Sequence, residues 1–197
     1  CIRDRFLHGG LPEGVLNVLP GHGARVGEPL ALHMDVDVLA FTGSTATGAK
    51  LLEYSGRSNL KRVWLECGGK SPHVVFADAP DLDAAAKAVA QGIFFNQGEV
   101  CTAGSRLLVQ RSIREDFVHQ VVAYGQHMQP QHPLDADAPM GALVDAAHLD
   151  KVMRDIARAE AEGARLLLGG HRAEVEAGGS YVQPTVFDQV RPEQALA

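Results

Sequence analysis

Two side chains in this sequence have the chemistry for covalent work on a carbonyl, Cys101 and Glu66. Cys101 stands in the stretch Phe94 to Arg106, just after an amphipathic run that starts at Asp81. The Gln97-Gly98 pair breaks the helical pattern, and Cys101 falls in the small-residue turn that follows, before Leu107-Leu108-Val109 restarts an apolar run. A thiol in such a turn is open to substrate, and neighbouring backbone N–H groups can stabilise the oxyanion that its attack creates. The competing role is plain packing, because free cysteine usually serves as a small buried hydrophobe. Glu66 ends an apolar run immediately before Gly68-Gly69, where its carboxylate would project from the carboxyl edge of a sheet. A glutamate there can act as general base on a water or a thiol. A solvated carboxylate, or one paired with Lys70 or Lys61, explains the same residue without chemistry.

A third group of residues suits a phosphate. Thr42-Gly43-Ser44-Thr45-Ala46-Thr47-Gly48 follows a strand pattern and opens a helix, so unpaired N–H groups and the positive helix end are available to an anion. Ser44 is placed to hydrogen-bond it, although a serine there also suffices as a simple N-cap. Gly21, Gly23 and Gly27 in the preceding turn let a cofactor lie close to the backbone, but glycines in turns need no ligand to explain them. The nine histidines show no zinc-binding spacing, and no metal is assigned.

These residues need elements to position them. Val15 to Leu19 reads as a strand, Pro20 to Gly23 as a turn and Ala24 to His33 as a short helix. Val36 to Phe41 gives a second strand, a helix runs from Thr42-Gly43-Ser44 to about Ser55, and Lys61 to Leu65 gives a third strand. Strands alternating with helix-sized segments predict a parallel sheet whose carboxyl ends face nucleotides. The texture changes at Cys67-Gly68-Gly69, which divides the chain into domains 1–67 and 68–197. In the second, His73 to Ala77 is a strand and Asp81 caps a helix with Leu82, Ala85, Val89, Ala90 and Ile93 on one face. Ile113 to about His127 and about Asp145 to Glu162 are helices, the latter stopped by Gly163. Gln129 to Pro139 is a loop, and Leu166 to Leu168 and Tyr181 to Val186 are strands. Trp64, Phe94 and Phe95 are expected in the interior, with lining of a substrate tunnel as the alternative for an aromatic beside Glu66. The fold class is α/β in two partial domains.

Composition narrows the classes of function. At 197 residues and 46% hydrophobic the chain can bury a sizeable core. A formal charge of −6 with scattered Lys and Arg offers no footprint for nucleic acid or anionic lipid, so neither partner is expected. Three cysteines, Cys1, Cys67 and Cys101, make an odd number without Cys-x-x-Cys spacing, which argues against a disulfide framework and places the protein in a reducing cytoplasm. No apolar run approaches a membrane span, and the first residues do not form a signal peptide. The missing initiator Met suggests part of a longer protein.

Phe41-Thr42-Gly43-Ser44-Thr45 with Gly48, then Leu65-Glu66-Cys67-Gly68-Gly69-Lys70-Ser71-Pro72, then Phe95-Asn96-Gln97-Gly98-Glu99-Val100-Cys101-Thr102-Ala103-Gly104-Ser105-Arg106 together resemble the aldehyde dehydrogenase superfamily. The resemblance runs over essentially the whole chain. It implies a partial Rossmann-like parallel sheet followed by the α/β catalytic domain, with Cys101 as nucleophile and Glu66 as general base. It also implies NAD or NADP as cofactor, its pyrophosphate at Gly43, Ser44, Thr45 and Gly48, and its adenosine half near Gly23 and Gly27. Cys67 stands where the family more often has Leu or Ala, and its backbone carbonyl, not its thiol, would face the cofactor. Lys61 to Glu66, Gln129 to Asp135 and Met140-Gly141 are most similar to bacterial gamma-glutamyl-gamma-aminobutyraldehyde dehydrogenases of putrescine breakdown.

The implied activity is NAD(P)-dependent oxidation of an aldehyde, of the omega-amino or gamma-glutamylamino class, to the acid through a thiohemiacetal and a thioester, by a homo-oligomer. A dehydrogenase that passes the acyl group to coenzyme A, or an inactive truncated scaffold, are the alternatives. Other family residues, including the Asn that donates to the oxyanion and the Glu-Ile-Phe-Gly-Pro segment, have no counterpart here.

Overall fold

The structure is a computed structural model that describes residues 2–175 and 178–197. Cys1 lies outside the described residues. The chain divides into two compact units, Cys1–Gly68 and Gly69–Ala197. No helix among the described residues is long and apolar enough to cross a membrane.

The first unit opens with helix α1 (Ile2–His8), a π-helical turn over Gly23–Gly27, and α2 (Glu28–Leu32). Strand β1 (Val38–Gly43), helix α3 (Thr45–Gly56) and strand β2 (Arg62–Cys67) follow, and β1 and β2 pair in parallel with Thr42 opposite Glu66 and Gly43 opposite Cys67. Parallel neighbours need a crossover, and α3 supplies it. Burial alternates along β2, with Val63, Leu65 and Cys67 sheltered and Arg62, Trp64 and Glu66 exposed, as the period of two requires. The turn from α3 into β2 carries Leu60 at φ +59° and is held by Asn59, whose side-chain amide donates to the carbonyls of Met34 and Val36. Lys61 is buried and gives its ammonium to the Ala31 carbonyl (2.6 Å) and the Ser58 hydroxyl (2.8 Å). Its partners are therefore these oxygens, which corrects the idea of a Lys61 pair with Glu66.

Two further expectations fail in this unit. Val15 to Leu19 forms no strand, and Val15, Val18 and Leu19 are exposed. A strand exists only through a partner, and among the described residues β1 and β2 pair with each other alone. Trp64 is 64% exposed instead of interior, because the alternation that turns Leu65 toward α3 turns Trp64 to the opposite face.

The second unit repeats the parallel theme. Strand β3 (Pro72–Val75) pairs in parallel with β4 (Arg106–Val109), and α4 (Leu82–Phe94) connects them. Asp81 caps α4 by accepting from the Ala84 N–H at 2.9 Å. Val75, Ala86 and Val89 form a buried cluster with Phe117 and Val121 of α5 (Arg114–Gln126). A neighbouring cluster holds Ala90, Phe94 and Met140. Helix α6 (Ala146–Ala161), capped by Asp145 and followed by Gly163 at φ +86°, packs Leu149 and Ile156 with Leu143 and Val182. Strands β5 (Arg165–Leu168) and β6 (Val186–Asp188) pair antiparallel.

The expected strand over Tyr181 to Val186 is reduced to one bridge, Arg172 with Val182, before β6 begins. Pro184 inside it has no N–H to give a ladder. Phe94 is buried as expected, whereas Phe95 is 67% exposed, since the chain leaves the helix between them.

Candidate functional site

In the first unit the candidate phosphate residues gather where β1 turns into α3. Ser44 is the N-cap: its Oγ accepts from the Thr47 N–H at 3.2 Å and lies 2.9 Å from the Thr47 hydroxyl. Capping leaves the N–H groups of Thr45 and Ala46 without intrahelical acceptors at the positive end of a helix of 12 residues. Ser44 and Thr45 are exposed, and the backbone here is open to an anion. Thr47 was not singled out from the sequence, although a hydroxyl three residues after an N-cap serine is the spacing that would have marked it.

Gly43 and Gly48 play different parts. A β-carbon on Gly43 would lie 2.5 Å from the Phe41 ring, so the strand end needs glycine to fit its own aromatic neighbour. Gly48 is buried against β2, where a β-carbon would meet Leu65 and the Cys67 thiol. The Cys67 side chain therefore faces α3. Gly23 and Gly27 have nothing within 4 Å of a would-be β-carbon, so internal packing does not demand glycine there. A group lying flat on the backbone is what such bare positions accommodate. Glu66, next to last in β2, is exposed on the sheet face opposite Leu65 and Cys67, beside Thr42 of β1.

In the second unit the chain between α4 and β4 makes a bent loop that carries Cys101. Asn96, Gln97 and Gly98 adopt φ values of +49°, +57° and +77° in succession. Cys101 is exposed, with a free thiol, in a turn closed by the Ala103 N–H donating to the Val100 carbonyl at 3.0 Å. Beyond it the loop is tied to the segment that enters β3: Arg106 donates its backbone N–H to the Ser71 carbonyl (3.3 Å) and its Nε to the Lys70 carbonyl (2.8 Å). The His73 ring fills the space between Gly92 of α4 and Gly104 of the loop, 2.8 Å and 2.4 Å from where their β-carbons would stand. The carboxylate of Glu99, two residues before the thiol, lies 3.3 Å from the His148 Nε2. Lys70, the other partner considered for Glu66, donates to the Leu196 carbonyl at 3.2 Å.

The structure thus gathers Gly43, Ser44, Thr45 and Gly48 at one strand–helix junction, with Glu66 and Cys67 at the matching end of the paired strand. Cys101 belongs to the other unit. An open N–H cluster at a helix start suits a phosphate, an exposed thiol in a small-residue turn suits a nucleophile, and an exposed carboxylate at a strand end suits a base.

Known proteins are similar to this chain over most of its length. The NADP/NAD-dependent aldehyde dehydrogenase PuuC of Escherichia coli K12 is 50% identical over 188 residues, which cover 95% of this chain and 37% of PuuC. A crystal structure of an indole-3-acetaldehyde dehydrogenase with NAD+ superposes with a TM-score of 0.97 at 53% identity, covering 99% of this chain and 39% of that one. The gamma-glutamyl-gamma-aminobutyraldehyde dehydrogenase of Burkholderia cenocepacia gives a TM-score of 0.92 at 50% identity, over 96% of this chain and 38% of its own. The chain spans between a third and two fifths of the length of these proteins. With residues 2–197 matching throughout, the chain belongs to the aldehyde dehydrogenase family.

Proposed function

We propose that the protein to which these residues belong oxidises an aldehyde to a carboxylic acid with NAD or NADP, using Cys101 as nucleophile and Glu66 as general base. The observation that carries this reading is Cys101 itself: an exposed free thiol in a turn that is fixed on both sides, within a chain of this family.

The Cys101 sulfur, as thiolate, forms a bond to the aldehyde carbon, and the resulting thiohemiacetal oxyanion is stabilised by backbone N–H groups of the loop. A bound nicotinamide cofactor would supply the two-electron acceptor for the hydride that leaves that carbon, which turns the thiohemiacetal into a thioester. Glu66 removes a proton from water as the water oxygen attacks the thioester. The carbon–sulfur bond breaks, the acid leaves and the thiolate is restored. Gly43, Ser44 and Thr45 would hold the pyrophosphate at the start of α3, Gly48 lets α3 pack close to β2 there, and Gly23 and Gly27 would leave room near the adenosine half. Cys67 would offer its backbone carbonyl to the cofactor, while its thiol packs against Gly48. A base at position 66 favours hydrolysis over transfer to coenzyme A. In domain terms, 1–67 is the end of the cofactor-binding domain and 68–197 the thiol-bearing domain of a cytoplasmic homo-oligomer.

For substrate, the likeness to a gamma-glutamyl-gamma-aminobutyraldehyde dehydrogenase favours an omega-amino or gamma-glutamylamino aldehyde. The test uses the full-length enzyme. Cys101→Ser is expected to abolish aldehyde oxidation. Glu66→Gln is expected to give one burst of reduced cofactor and leave acyl-enzyme visible by intact mass. Near-normal turnover in either variant defeats the corresponding assignment. A higher kcat/KM for indole-3-acetaldehyde than for gamma-glutamyl-gamma-aminobutyraldehyde would remove the substrate class and leave the mechanism standing.

A further inference from the structure

The backbone that delivers Cys101 is held in a conformation that side chains resist. Asn96 (φ +49°, ψ +43°) and Gln97 (φ +57°, ψ +18°) are both left-handed, and Gly98 follows at φ +77°. Non-glycine residues visit this region singly and at a cost, so two in a row persist only where their surroundings over-determine them. Gly98 is the residue this bend requires, because at φ +77° a side chain would be strained and its β-carbon would stand 3.1 Å from the Ile93 carbonyl oxygen.

What fixes the bend is the Gln97 side chain. Its Oε1 accepts from the Gly141 N–H at 3.0 Å and its Nε2 donates to the Ala142 carbonyl at 3.2 Å. The amide thus pairs with the 141–142 backbone as one rung of a ladder would. That backbone is itself anchored. The Met140 carbonyl accepts from the Gln131 N–H at 3.1 Å, Leu143 donates to the Ser180 carbonyl at 2.8 Å, and the Met140 and Leu143 side chains are buried. Only a primary amide of this length offers donor and acceptor together: glutamate loses the donor and asparagine is one methylene short.

We propose that Gln97 is a positioning residue for the reaction: by locking its left-handed turn onto Gly141 and Ala142 it sets the place and direction of the Cys101 sulfur four residues on. This rests on the reading of Cys101 as nucleophile. Gln97 touches no reacting atom and acts through the backbone, where a misplacement of about 1 Å is enough to lower a rate about a hundredfold.

The experiment compares Gln97→Ala and Gln97→Glu with wild type in the full-length enzyme, following kcat, KM for cofactor, hydrogen exchange over residues 96–102 and alkylation of Cys101 by iodoacetamide. Gln97→Ala is expected to lower kcat by about 10- to 100-fold, at temperatures where circular dichroism shows it folded. KM for cofactor should stay within about twofold while amide exchange over 96–102 quickens. Gln97→Glu, which retains the bond from Gly141, should fall between Gln97→Ala and wild type, and it decides the matter if the alanine variant does not fold. A kcat within about twofold of wild type in a folded variant, or a lost kcat with unchanged exchange, overturns the proposal. Cys101→Ser separates the two levels: if it retains activity, the nucleophile reading fails whatever Gln97 does.

Discussion

Gly48, in the first turn of α3, lies against the side chain of Leu65 on β2, where a β-carbon would stand 3.1 Å from Leu65 Cδ1 and 3.4 Å from the Cys67 sulfur. The junction that presents Ser44 and Thr45 therefore depends on a helix pressed onto a strand.

Substitution at Gly48 tests that contact. Gly48→Ala gains about 1 kcal/mol of helix propensity and presses mainly on a movable leucine methyl, with the Cys67 sulfur at ordinary contact distance, so it should change stability by less than about 1 kcal/mol. Gly48→Val adds branched bulk that the buried site has no room for and should lose about 1–3 kcal/mol. Chemical denaturation of both variants checks this, and a Gly48→Val protein as stable as wild type would show that α3 can retreat from β2 freely.

The His73 ring between Gly92 and Gly104 makes a second prediction. A β-carbon on Gly104 would lie 2.4 Å from the half-buried ring, and Gly92 borders it as well, so the imidazole would have to shift. Gly104→Ala should cost about 1–3 kcal/mol by overpacking. Combined with His73→Ala, the loss should be smaller than the sum of the two single losses, since removing the ring removes the clash. Strictly additive losses in a double-mutant cycle would place the ring elsewhere.

Acid should loosen the segment 191–197. The Glu162 carboxyl is held below its ordinary value of 4.5, first by the N–H of Ala195, which donates to Oε2 at 2.7 Å, and then by Arg158, which donates to Oε1 at 2.8 Å. A carboxyl whose folded value is depressed contributes its full stability above the ordinary value and loses it as the pH falls through the folded one. Hydrogen exchange over 191–197, divided at each pH by the intrinsic exchange rate of the free amide, should thus be flat above about pH 5 and quicken below pH 4.5. In Glu162→Gln the rise should vanish, and an unchanged acid profile in that variant would assign the loosening to another group.

Much of the molecule was written in short-range pattern. Ser44, Asp81 and Asp145 each cap the helix their sequence context implies, because a cap is decided within four residues. The stripe on α4 falls on its buried face, and the alternation of strands with helices in the first unit foretold the parallel pair β1–β2. The three motifs that resemble the family lie within its matched span.

What sequence pattern alone could not settle depends on partners far along the chain. Val15 to Leu19 has the composition of a strand but no strand beside it, and Tyr181 to Val186 loses its ladder around Pro184. Trp64 is hydrophobic enough for a core, yet the register of β2 turns it away from α3. The Gln97 amide reaches Gly141 and Ala142 across more than forty residues, and the His73 ring meets two glycines on different elements. The sequence by itself determined residue chemistry and local order, because those follow from neighbours a few positions away. Only the tertiary structure decided which backbone each side chain would grip, because that is fixed when distant segments pack.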